Sequence, residues 1–152
     1  MLRKITLLSL FALFGLTACA TETVPPGDWI DVPLAPTTYF EHSSNYQEGV
    51  YQIPVAANSD LEHKLNMNEG DIVVYSWSVA MAEPQLLTAE FHGHTERVGD
   101  APGTVMFYKV HTDGEESGSL KAPFTGVHGW YLNNESAEDI VVELKVAGFY
   151  TE

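Results

Sequence analysis

The sequence is poor in cysteine, in basic residues and in long hydrophobic runs, and each shortage excludes something. Its single cysteine, Cys19, cannot form an intramolecular disulfide, so the fold must be held together by its core. Seven Lys and Arg residues stand against 21 Asp and Glu residues, which makes nucleic acid a poor partner for this surface. The longest apolar run, residues 5–16, is too short to cross a bilayer, which takes about 20 residues.

The N-terminal segment has the parts of a secretory signal peptide. A basic start at Arg3 precedes the apolar run, and the sequence Leu-Thr-Ala-Cys ends it at Cys19. This ending resembles the lipobox of bacterial lipoproteins, in which the chain is cut before the cysteine and the thiol then carries lipid. The resemblance predicts a lipoprotein signal peptide over residues 1–18 and a palmitate-bearing anchor on Cys19.

The predicted anchor places the protein in the bacterial cell envelope. In the lipoproteins that this segment resembles, Asp after the cysteine signals retention in the inner membrane, so Ala20 predicts the outer membrane, facing the periplasm. Removal of residues 1–18 leaves 134 residues, the size of one domain, with five basic and 21 acidic residues and a net charge of −16. The predicted partners are the membrane, through the lipid, and an unidentified protein.

Residues 19–45 are predicted to form a tether between the lipid and the folded domain. Four prolines lie between residues 25 and 36, and no apolar periodicity accompanies them. Because proline lacks an N–H donor, it disfavours helices and central strands. The predicted domain therefore occupies residues 46–152.

The domain is predicted to be almost entirely β-structure. Short apolar runs alternate with turn residues; Trp77 shares one face of strand 71–80 with Tyr75, and Glu143 lies on the polar face of strand 140–146. The predicted strands are residues 49–55, 60–67, 71–80, 85–94, 104–111, 117–124, 126–133 and 140–146. Eight short strands with turns between them predict a single, two-sheet antiparallel β-sandwich.

Motifs in the last ninety residues carry a family resemblance. Glu-Gly-Asp at residues 69–71 precedes the strand with Trp77, Phe-His-Gly occupies residues 91–93, and His-Gly-Trp-Tyr occupies residues 128–131. This order resembles GOLD-type β-sandwiches and small membrane-anchored bacterial proteins with the same two histidine motifs, although a lipid anchor here replaces their transmembrane helix. The resemblance implies a jelly-roll or GOLD-like topology and no particular chemistry.

The middle strand carries the side chains best suited to binding chemistry. Glu90, His92 and His94 are two residues apart, so they share one face of a strand. Two imidazoles and a carboxylate can hold zinc or copper, with His111 or His128 from another strand completing the set. The sequence therefore predicts a candidate metal site made of Glu90, His92, His94 and His128.

Other interpretations of these residues remain open at this point. A His-x-His pattern also occurs on the solvated face of an ordinary strand. His128 shares a face with Trp130, which favours a buried ring that donates a hydrogen bond to a backbone carbonyl. Trp29, Trp77, Trp130 and Tyr131 can form a sugar-binding platform, or Trp77 and one of Trp130 or Tyr131 can fill the core.

The sequence lacks the common catalytic signatures. It contains no Gly-x-Ser-x-Gly elbow, no His-Glu-x-x-His and no phosphate-cradling glycine loop. We therefore predict a non-enzymatic, lipid-anchored binding or adaptor module that needs no cofactor. The alternative is a periplasmic copper- or zinc-binding protein that uses the histidine and glutamate cluster.

Overall fold

The computed structural model describes Gly27 and residues 29–152, so the predicted signal peptide and Cys19 lie outside the described residues. The strands are β1 (Tyr46–Val55), β2 (Ser59–Met67), β3 (Ile72–Val79), β4 (Leu87–His94), β5 (Val105–His111), β6 (Glu115–Lys121), β7 (Gly126–Asn134) and β8 (Ile140–Phe149). A 3-10 turn at Pro84–Leu86 precedes β4. Within the described part of the chain, no helix is long and apolar enough to span a membrane.

The strands form two four-stranded antiparallel sheets. One sheet has the order β1–β8–β3–β6 and the other has the order β2–β7–β4–β5. This strand order is that of a jelly roll, in which a pair of antiparallel Greek keys folds into two facing sheets. The predicted all-β, two-sheet sandwich is therefore confirmed.

A cluster of aromatic side chains lies between the sheets, among aliphatic core residues. Trp77 and Tyr75 on β3 both face inward, as their alternation predicts. Trp130 stacks on Phe91 with ring centroids 4.4 Å apart, and Tyr75 meets Trp130 edge-on at 4.9 Å. Both Trp77 and Trp130 thus fill the core, whereas Tyr131 lies on the outer face of its sheet.

The sandwich belongs to a compact unit that begins at Phe40, inside the predicted tether. The His42 ring stacks on Phe149 at 3.9 Å, and its Nδ1 lies 3.4 Å from Asp71 Oδ1. Ser44 donates a hydrogen bond to Asp71 Oδ2 at 2.8 Å. The end of the predicted tether therefore packs against the strands through the nearly buried carboxylate of Asp71.

Candidate functional site

The outer face of the β2–β7–β4–β5 sheet carries the polar residues that the sequence singles out. Glu90, His92 and His94 alternate along β4 with the buried Ala89 and Phe91, so they share the outward side, as their spacing predicts. All three are partly buried there rather than fully exposed. This placement puts two imidazoles and a carboxylate in one short row.

A gap in the side chains of β7 lets His92 reach across to β2. On β7, Gly129 pairs with His92 of β4 on one side and with Lys64 of β2 on the other. Because glycine has no side chain, nothing from β7 stands between the His92 ring and β2. The His92 Nε2 atom lies 3.1 Å from Glu62 Oε1. A Cβ at Gly129 would collide with the carbonyl oxygen of His63, so the close backbone approach requires glycine at this position.

Glu62, His92 and His94 together form a set of metal-ligating side chains. One ligand atom from each lies within 4.8 Å of the others. The His92 side chain is only 13% exposed, and its Nδ1 lies 3.3 Å from Glu90 Oε1. Glu62 was missing from the predicted site because its proximity to β4 depends on the order of three strands, which periodicity does not reveal.

His128, the remaining residue of the predicted metal site, lies on the opposite side of the sheet, in the core, and is fully buried. Its Nε2 lies 3.0 Å from the Phe124 carbonyl oxygen, which can only accept, so Nε2 carries the proton. Its Nδ1 therefore accepts a hydrogen bond from the Tyr108 hydroxyl at 2.8 Å. His111 also points inward, where it meets Trp77 edge-on at 5.8 Å. The structure does not bring either histidine to the outer-face cluster.

We expect the free energy of unfolding to fall as the pH drops below about 6.5, the value of an unperturbed histidine. Burial lowers the pKa of the His128 imidazole. The hydrogen bond to the Phe124 carbonyl raises this pKa in part, and a positive charge on His94 lowers it further. Burial also lowers the pKa of His63. In this pH range the unfolded chain therefore binds more protons at these two histidines than the folded chain does. The free energy of unfolding is highest above the histidine pKa of the unfolded chain, and it decreases as the pH falls toward the lower pKa of the folded chain.

Urea unfolding of the wild type and of His128→Gln at a series of pH values between 7.5 and 5.5 checks this expectation. Glutamine does not titrate, so the variant should lose less free energy of unfolding over this range than the wild type does. Identical pH dependence in the two proteins would show that His128 does not carry the effect.

The β5 edge of the same sheet is largely apolar. β5 pairs only with β4, and Phe107, its most exposed apolar residue, has 62% of its surface accessible. The exposed apolar side chains of β5 are Val105, Met106, Phe107 and Val110. The other edge strands carry residues that hinder further pairing, namely Pro54 in β1, Asp60 and Lys64 in β2, and Glu115 and Lys121 in β6. β5 itself carries one charged residue, Lys109, which lies 3.1 Å from Glu116 of the other sheet, and a bulge at Tyr108. Its other exposed residues are apolar, so β5 is the candidate docking edge.

Comparison with known proteins gives no family assignment. No protein-family model matches this chain, and no curated protein sequence matches it either. The resemblance to GOLD-type sandwiches therefore stays a prediction from the motifs.

Proposed function

We propose that this protein is a lipid-anchored, non-catalytic binding or adaptor module of the bacterial cell envelope. The Leu-Thr-Ala-Cys sequence at Cys19 supports the lipid anchor, and Ala20 supports attachment to the outer membrane, facing the periplasm. The net negative charge disfavours nucleic acid as a partner. A compact sandwich held near a membrane surface suits a module that recruits another protein.

The β5 edge is the observation that carries the adaptor function. An edge strand leaves alternate N–H and C=O groups without a strand partner, and an extended segment of another protein can pair with them. The exposed Val105 and Phe107 would pack against apolar side chains of that segment. Because the domain is acidic, we expect the segment to be apolar with basic flanks.

Cys19→Ser should abolish incorporation of labelled palmitate, because the lipid is attached to a thiol through a thioether. The variant should also move from the membrane fraction to the soluble fraction of the envelope. Metabolic labelling followed by fractionation measures both effects. Equal labelling of the wild type and Cys19→Ser would overturn the anchor, whatever the sandwich binds.

A photo-crosslinking side chain at Val110 of β5 should capture a partner in intact cells. The same side chain at Asp60, on β2 at the opposite edge of the same sheet, is the matched control and should capture none. Adding Phe107→Lys should remove the β5 adduct, since it places a charge on the free edge, while circular dichroism shows an unchanged β spectrum.

Two results would overturn this adaptor function. An adduct of twice the mass of the chain would mean that β5 pairs with a second copy. Equal capture from β5 and β2, or capture that survives Phe107→Lys, would mean that the edge is not a docking site.

A further inference from the structure

We propose that Glu62, His92 and His94 bind one divalent transition-metal ion, Zn(II) or Cu(II), on the outer face of the β2–β7–β4–β5 sheet. This inference goes beyond the adaptor function because it assigns a ligand of a different chemical class. It depends neither on the lipid anchor nor on the β5 edge. Imidazole and carboxylate are the ligands that these ions accept in proteins.

The spacing of the side chains fits such an ion. The His92 Nε2 and Glu62 Oε1 atoms are 3.1 Å apart. Two ligand atoms that are each 2.0–2.1 Å from a tetrahedral zinc ion lie about 3.3 Å apart. A ligand atom of His94 lies within 4.8 Å of both, which places the third ligand beside the other two.

An outer carboxylate orients His92, the central ligand. Glu90 Oε1 lies 3.3 Å from His92 Nδ1, on the side of the ring away from Glu62. This Nδ1 is buried and has no aligned hydrogen-bond partner, so Glu90 is the group placed to accept a hydrogen bond from Nδ1–H when Nε2 binds an ion. Such carboxylate–histidine–metal arrangements fix the tautomer and raise the basicity of the ligand. Glu90, predicted as a ligand, thus becomes a positioning residue.

The other two ligands also have partners that leave one donor atom free. His94 Nδ1 lies 3.2 Å from the Thr95 carbonyl oxygen, so Nδ1 carries the proton and the lone pair is on Nε2. Glu62 contacts Lys64 Nζ through Oε2 at 3.0 Å, while its Oε1 faces His92. Glu62 and His94 thus each have one atom with a protein partner, and one ligand atom from each of Glu62, His92 and His94 lies within 4.8 Å of the others.

The remaining histidine–carboxylate contacts of the described chain do not offer this combination. In the part of the chain that the structure describes, His42 has one carboxylate partner, Asp71 at 3.4 Å, and His111 has one, Asp113 at 3.8 Å. Among the described residues, Glu62, His92 and His94 are the one group of three such side chains whose ligand atoms converge. Three protein ligands leave a fourth position for water or for a donor from another molecule.

The test uses protein purified from membranes in detergent, without a histidine tag, and titrated calorimetrically with Zn(II) and Cu(II) at pH 7.5. We expect one ion per chain, tighter binding of Cu(II) than of Zn(II), and a rise in melting temperature with each ion. His92→Ala/His94→Ala should weaken binding at least about 100-fold and abolish the rise, whereas the matched control His42→Gln/His111→Gln should keep both. Melting curves without metal show whether each variant is folded.

Two further variants separate the ligands from the positioning residue. Glu62→Gln removes a ligand and should weaken binding as a histidine variant does, while Glu90→Gln should cost about 10- to 100-fold at unchanged stoichiometry. Affinity of the wild type should fall at pH 5.5, because the imidazoles must be neutral to bind. Binding no tighter than tens of micromolar, or equal in the wild type, the double variant and Glu62→Gln, would overturn the site.

Discussion

Trp77→Ala is expected to lower the free energy of unfolding by about 3–5 kcal/mol. Trp77 lies in β3 between the two sheets and is only 3% exposed. Its removal leaves a cavity lined by residues that neighbouring strands hold in place, such as Leu144, its partner on β8. Urea unfolding followed by circular dichroism measures the loss without depending on tryptophan fluorescence.

Glu143→Ala is the matched control on the other face of the same sheet. Glu143 is partly exposed on β8, where Lys145 Nζ lies 2.9 Å from Oε1 and Gln52 donates to Oε2 at 2.7 Å. Exposed pairs of this kind contribute about 0–1 kcal/mol, so the variant should unfold close to the wild type. Similar midpoints for Trp77→Ala and Glu143→Ala would contradict the inward orientation of the β3 aromatic face.

Asn134→Asp is expected to cost about 3 kcal/mol or more, because it reverses the hydrogen-bonding role of a fully buried side chain. The Asn134 Nδ2 group donates toward three carbonyl oxygens, those of Val55 at 3.2 Å, Ala56 at 3.0 Å and Glu138 at 2.8 Å. Its Oδ1 accepts from the Ser136 backbone N–H at 3.0 Å and from the Ser136 hydroxyl at 2.7 Å. Aspartate keeps the shape but turns a buried acceptor, or a charge, toward those carbonyls.

The same exchange one residue earlier provides the control. Asn133 lies on the outer side of β7, is partly exposed and donates only to Glu135 Oε1, at 3.3 Å. Asn133→Asp should therefore change the free energy of unfolding by less than about 1 kcal/mol. Chemical denaturation at pH 7 compares the two variants, and equal costs would show that the buried amide does not tie the β7–β8 connection to the end of β1.

Period-two alternation was enough to predict most of the strands and their faces. Trp77 faces the core and Glu143 faces outward, and the predicted strand 60–67 differs from β2 by one residue. Where a predicted strand end was wrong, pairing with the neighbouring strand determines the observed end. β8 continues to Phe149 because residues as late as Phe149 pair with β1, beginning at Tyr46.

The acid pair Glu115–Glu116 shows what local sequence could not supply. The predicted strand 117–124 leaves out both acids, yet both lie in β6, and the Glu116 side chain is only 7% exposed. Lys109 from β5 of the other sheet lies 3.1 Å from Glu116 Oε1, and Tyr75 donates to the same oxygen at 3.2 Å. These two partners are distant in sequence, so only the folded arrangement identifies them.

The candidate site was also predictable from the sequence only in part. The shared face of Glu90, His92 and His94 followed from spacing along one strand. Glu62 could not be predicted, because it reaches His92 only across Gly129 and through the order β2–β7–β4. The alternation of His128 with Trp130 already indicated that His128 faces the core. That alternation was a better guide to its position than the general tendency of histidine to bind metals.

Imidazole NMR of the nitrogen-15-labelled protein during addition of Zn(II) tests most directly whether the outer face of the β2–β7–β4–β5 sheet is a ligand-binding surface. We expect the Nε2 signals of His92 and His94 to shift together and saturate at one ion per chain. The nitrogens of His128, both engaged in the core, should not move. Unchanged His92 and His94 signals, or shifts confined to His42, His111 or His128, would contradict the assignment of this face.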